Sequence, residues 1–106
     1  MADIIDGVNI RMGGQVFYVP PLNFKRVRQM RAKLGLISQI TSIPTDAEMT
    51  IIAEVALSAI ERNYPNMDIK QLDEMLDLGN IAPILKAIMG ASGFEENAAG
   101  EATARP

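Results

Sequence analysis

The sequence predicts a mainly α domain of the α+β class, a small bundle of about four helices with an N-terminal β-hairpin. Three observations predict it. Helix stop and start signals crowd together between Glu61 and Gly93, in ERNYPNMDIKQLDEMLDLGNIAPILKAIMGASG. Two longer segments, opening at Asn23 and Thr45, repeat apolar residues at helical spacing. Upstream of both, Gly13-Gly14 joins two short runs of alternating or β-branched residues. That pair is a hairpin signal, because both glycines can take positive φ.

The hairpin comes first, in GVNIRMGGQVFYV from Gly7 to Val19. Val8, Ile10 and Met12 share one face of its first strand; in the second, Val16 and Tyr18 lie opposite Phe17 and Val19. A lone hairpin is marginal in water, so it must lie on the helices or add to a partner's sheet. Pro20-Pro21 stops it.

Asn23 caps the first long helix, in which Phe24, Val27, Met30, Leu34 and Ile37 form one apolar face. Lys25, Arg26, Arg28, Arg31 and Lys33 make the other side cationic, with no acid among them. Cations at the start of a helix oppose its macrodipole by roughly 0.3–1 kcal/mol each when exposed, so stability alone would not select them. A solvated face, a protein partner and, last, nucleic acid are the readings this patch admits. Nucleic acid ranks last because the patch lacks interleaved aromatics and the chain is acidic overall. Gly35 either ends this helix with a Schellman-type cap or sits inside it and allows close packing.

After a loop around Pro44, Thr45 and Glu48 form a capping box for a second long helix that is apolar nearly all round. This is the expected central helix. Tyr64-Pro65 ends it, and Asp68 caps a third helix expected from Ile69 to Leu78. Ile69, Leu72, Met75 and Leu76 would face inward, leaving Lys70, Asp73, Glu74 and Asp77 in water. Those carboxylates read as a solvated face, since neither a looped backbone nor converging oxygens signal a metal. Gly79 is expected to close this helix in the left-handed conformation and Asn80 to cap the next, which fixes an angle between them. The last helix runs from Ile81 to about Met89, with Pro83 tolerated in its first turn and Ile84, Leu85, Ile88 and Met89 on a wide apolar stripe. Gly90 and Gly93 would end it. The expected organisation is a flexible N-terminus over 1–6, one domain over 7–93 and a disordered tail over 94–106.

Composition narrows the function. At 106 residues the chain can bury roughly 60% of its unfolded surface, enough to fold alone but marginally. Its apolar share is 48% with only 5% aromatics and seven Met, a mix that favours helix. Cysteine and histidine are both absent, which removes disulfides, thiolate nucleophiles, zinc–cysteine sites and the usual general base. The expectation is therefore a protein that is not an enzyme and uses no cofactor. With no basic, apolar leader and no apolar run near ~20 residues, it is expected to be soluble and intracellular, with no membrane partner. Net charge is −3, divided as +4 over residues 1–44 and −7 over 45–106. The halves either neutralise each other in the fold or serve head-to-tail association and separate protein partners.

Three stretches, VFYVPPLNFKRV, ALSAIERNYPNMD and LDEMLDLGNIAPILKAIMGASG, make the chain resemble the tail assembly chaperones of long-tailed bacteriophages over about residues 7–94. The resemblance implies a small phage protein located in the cytoplasm of the host cell. Such a protein binds the tape measure protein, the tail tube protein or both, and keeps them soluble until tube polymerisation displaces it. Members are not enzymes and are absent from finished tails. A longer frameshifted form is common among them. The shared positions are helix joints and core residues, so no binding residue carries over. From the residues themselves, the expected partner surface comprises Lys25, Arg26, Arg28 and Arg31 on the first helix and Ile81, Ile84, Leu85, Ile88 and Met89 on the last. The last two helices and the Gly79-Asn80 joint would frame the client groove. Met30, Met49, Met75 and Met89 are candidates for a yielding lining, with core filling as the other reading. Self-association is expected. Two rival classes are a permanent tail subunit that pairs through the hairpin and a small nucleic-acid-binding regulator that uses the first helix.

Overall fold

The computed structural model describes residues 5–89. The helix stops expected at Gly90 and Gly93 and the tail over 94–106 lie outside those residues, as do positions 1–4 of the N-terminus. Among the described residues the order is β1 (Val8–Met12), β2 (Gln15–Val19), α1 (Phe24–Ile37), α2 (Asp46–Ile60), α3 (Ile69–Met75) and α4 (Ile81–Ile88). This is the expected bundle of four helices behind a hairpin.

Gly13 and Gly14 both take positive φ, 56° and 81°, so the two-residue turn has the twist a hairpin needs. Antiparallel register sets Ile10 opposite Phe17 and Met12 opposite Gln15. Ile10, Met12, Phe17 and Val19 are buried, while Asn9, Arg11, Val16 and Tyr18 are exposed. The inward face packs on α2 and α4. A further anchor comes from the turn after α2. The Tyr64 hydroxyl accepts the Tyr18 backbone N–H at 2.9 Å, and Asn63 Nδ2 donates to the Tyr18 carbonyl at 3.1 Å. Asn63 also exchanges two hydrogen bonds with the backbone of Ile5, at 2.7 and 2.9 Å. The Phe17 and Tyr64 rings meet edge to face at 5.2 Å.

Helix α2 is central, as expected. Thr45 and Glu48 form both bonds of the capping box, at 3.2 and 2.9 Å. Val55, Ala56, Ala59 and Ile60 are fully buried. They meet the hairpin face, Leu72 of α3 and Ile84, Ala87 and Ile88 of α4 in one apolar cluster. Each large side chain withdrawn in this way contributes about 1.5–3 kcal/mol before entropy is counted. The segment between β2 and α1 is tied to the same core, because the Leu22 N–H donates to the Ile88 carbonyl at 3.1 Å.

Helix α1 begins at the expected cap, with Asn23 Oδ1 accepting the Arg26 N–H at 3.0 Å. None of its residues is fully buried. Val27, Met30, Leu34 and Ile37 pack against the core, but Phe24 is 80% exposed. At 100° per residue it lies well off the stripe the other four define, which corrects its place on the apolar face. Gly35 lies inside the helix, and a Cβ there would meet nothing within 4 Å, so close packing is not its role.

The α3–α4 joint differs from the expected one. Helix α3 stops at Met75, and Leu76 turns extended with ψ 138°. Gly79 has no positive φ. Side chains close the turn instead: Asp77 Oδ1 accepts the N–H groups of Gly79 and Asn80, each at 2.9 Å. Asn80 is buried and replies, accepting the Asp77 N–H and donating to the Met75 carbonyl, both at 2.9 Å. Its oxygen is thereby committed backward, and it makes no side-chain cap on α4. Asp and Asn outcompete glycine here because their side chains satisfy the backbone groups that the left-handed turn would otherwise have served.

Candidate functional site

The cationic side of α1 divides into two rows. Arg26 and Lys33, seven residues apart, point to the flank that meets α2. Arg26 Nη1 lies 2.6 Å from Glu61 Oε2 and donates to the Ser58 carbonyl at 3.0 Å. Lys33 Nζ lies 3.4 Å from Glu54. Arg26 thus sits over the C-terminal end of α2, where unbonded carbonyls and the helix dipole favour a cation. It braces two helices and does not face outward as the expected partner surface requires. Lys25, Arg28 and Arg31 form the other row, exposed along the outer side of the helix. Phe24 projects from the same side, an aromatic among these cations that periodicity had assigned to the core.

Adjoining apolar grooves that share lining residues form a trough along α4. At one end Leu34 and Ile37 of α1 face Leu85, Ile88 and Met89 of α4 across a groove of about 460 Å³, with Ser38 and Lys86 also lining it. It continues along α4 past Ile40, Ile43, Leu78 and Ile81. At the other end it reaches Met49 of α2, with Asp73 and Asp77 on its border. Ile43 and Leu78 stand 72% and 62% exposed, the rim residues that a partner would cover first.

Of the expected apolar residues, Ile81, Leu85 and Met89 line this trough and Ile88 forms its nearly buried floor. Ile84 is fully buried in the core and takes no part. The second wall is α1, where the sequence reading had placed the third helix. Helix α3 turns its one buried side chain, Leu72, toward α2 and contributes Asp73 to the far border. Met49 and Met89 occupy opposite ends of the trough, whereas Met30 and Met75 pack against the core. Leu34 and Ile37 were legible as an apolar stripe but not as a groove wall. Ile43 and Leu78 had no periodic signal, because both lie in connections.

The hairpin offers a smaller surface. In an antiparallel pair, residues opposite one another alternate between facing inward and outward with their backbone groups. Tyr18 turns its pair outward to Asn63 and Tyr64, which cover the outer edge of β2 at that point. Its cross-strand partner Asn9, and Arg11 two residues on, therefore present theirs along the outer edge of β1. No described residue bonds to them.

Among the described residues there is no group of three or more Asp and Glu placed to hold a metal ion, and no helix long and apolar enough to cross a membrane. Comparison of the chain with protein-family models, with curated proteins and with solved structures gave no match.

Proposed function

We propose that this chain is a tail assembly chaperone of the long-tailed bacteriophage type, acting in the host cytoplasm. It binds the tape measure protein, the tail tube protein or both without catalysing a reaction, and keeps the client soluble until tube polymerisation displaces it. The observation that carries this reading is the row of adjoining apolar grooves along α4, walled by α1 at one end and passing Ile43 and Leu78 to Met49. A groove lined by contiguous apolar side chains offers a seat for an apolar segment of another molecule. The methionines at its two ends suit a holding role, because an unbranched thioether side chain adapts to varied apolar shapes. Lys25, Arg28 and Arg31 are charged, exposed and not paired in the described fold, so they steer an acidic client, or the acidic half of another copy, toward the molecule. The likeness in sequence stretches over the same helices supports the identity of the client.

The open outer edge of β1 favours a second reading, a permanent tail subunit that pairs strands with its neighbours. Co-expression separates the two. With this chain present, tape measure or tube protein should move from the pellet to the soluble fraction and co-purify with it, while purified particles lack it. Equal client solubility without the chain, or a stoichiometric amount of it in finished particles, would overturn the proposal.

A further inference from the structure

The trough has a chemical polarity that selects both the conformation and the direction of what fills it; this inference rests on the proposed holding role. At the Lys86 end its walls are helix faces, with Leu34 and Ile37 on one side and Leu85 and Met89 on the other, and farther along the connections at Ile40, Ile43 and Leu78 join them. Backbone N–H and C=O groups in those helix faces are spent within the helices, so an extended segment laid there would bury its own polar backbone without partners. A segment whose backbone bonds are internal avoids that cost, and an amphipathic helix with its apolar stripe turned inward is such a segment.

The two ends differ in charge. Asp73 and Asp77 border the end beside the start of α4, and Lys86 lines the end beside its finish. All three are exposed, and none forms an ion pair among the described residues. A helix carries partial positive charge at its N-terminus and partial negative charge at its C-terminus. We infer that the trough accepts an amphipathic helix of a partner protein running parallel to α4, with a cationic first turn over Asp73 and Asp77 and an anionic last turn at Lys86. A client helix of opposite polarity meets like charge at both ends.

The test uses two synthetic amphipathic peptides of the same length and the same apolar face, one with lysines in its first turn and glutamates in its last, the other with those charges exchanged. Each carries a nitroxide at its N-terminus and is titrated into the full chain at low salt. The lysine-first peptide should bind with its first turn at Asp73 and Asp77 about fivefold in preference to the reverse direction, the scale of one or two exposed charge contacts. Its nitroxide should broaden the amide signal of Leu78 more strongly than that of Met89 at the far end. In the Asp73→Asn, Lys86→Gln double variant, both surface changes, the preference should fall to less than half while the apolar contribution to binding persists. Broadening at Met89 as strong as at Leu78, or stronger, would overturn the inference. So would a sedimentation coefficient of the chain alone that rises with concentration and falls in Leu78→Glu, because the trough would then hold a second copy. A missing preference in a chain that still solubilises tape measure or tube protein sinks the polarity alone. A clear preference in a chain that fails to solubilise either sinks the chaperone reading instead.

Discussion

Arg26 of α1 and Glu61 at the end of α2 form an ion pair at 2.6 Å, and through it the basic first half of the chain is fastened to the acidic second half. The opposed charges of the two halves therefore serve the fold in part. Lys33 and Glu54 repeat the contact two turns along α1. Because α1 has no fully buried side chain, these polar contacts form a larger share of its docking than they do for α2.

Arg26→Met, which keeps the apolar stem but removes the guanidinium, should lower stability by about 1 kcal/mol, since it also releases the Ser58 carbonyl. Lys33→Met should cost less than about 0.5 kcal/mol, as its pair is longer and more exposed. Urea titration followed by circular dichroism measures both. Equal losses at the two sites would contradict the distinction.

The hairpin should be held in place by the turn after α2. Asn63→Ala removes bonds to both backbone groups of Ile5 and to the Tyr18 carbonyl, and should cost about 1–2 kcal/mol. Tyr64→Phe should cost about 1 kcal/mol or less and speed hydrogen exchange at the Tyr18 amide, whose acceptor it removes. Unchanged exchange at that amide would show that the contact does not protect the strand.

Glycine replacements distinguish the two turns. Gly79→Ala should cost less than about 1 kcal/mol, because its φ is not positive and the Cβ meets only Asp77 Oδ1, at 3.3 Å, which must shift slightly while it holds the turn. Gly13→Ala should cost about 1–2 kcal/mol, for the left-handed φ of 56° and a Cβ 2.7 Å from Met75 Cγ. Asn80→Ala should be the most damaging of the three, at about 2–3 kcal/mol, since it strands the Asp77 N–H and the Met75 carbonyl at a buried position.

How much of this was legible in the sequence depends on the range of the force involved. The hairpin turn, the Asn23, Thr45 and Asp68 caps and the central place of α2 all follow from local chemistry, and each is present. Gly79 misled because glycine permits the left-handed turn without requiring it, and the neighbouring Asp77 and Asn80 offered a bonded alternative. Phe24 misled because three-residue spacing tolerates a start position that the stripe has already rotated past. The trough was half legible: the α4 stripe signalled an apolar face, but which helix stands opposite it is a tertiary fact. Arg26 and Lys33 could be separated from Lys25, Arg28 and Arg31 only by knowing which flank α2 occupies.

Steering should be separable from stability. Arg28→Glu with Arg31→Glu touches exposed residues that make no ion pair in the described fold, so unfolding should shift by less than about 0.5 kcal/mol. Association with an acidic client should slow about tenfold at low salt, and the difference should shrink as salt rises. Surface plasmon resonance with immobilised client reads this. Identical on-rates in low salt would exclude steering by this row.

The central claim is that the trough holds the client, and the most direct test changes its rim without touching the core. Ile43→Glu and Leu78→Glu place charges at two of the most exposed apolar positions of the trough, where unfolding transitions should be nearly unaltered. The measurement is the affinity of each variant for tape measure or tube protein, by calorimetry beside the parent chain. A loss of at least about tenfold at both positions with stability preserved is the predicted result, corresponding to about 1.4 kcal/mol of apolar contact removed. Parent-like affinity in both variants would contradict the claim and move the client to another face of the molecule.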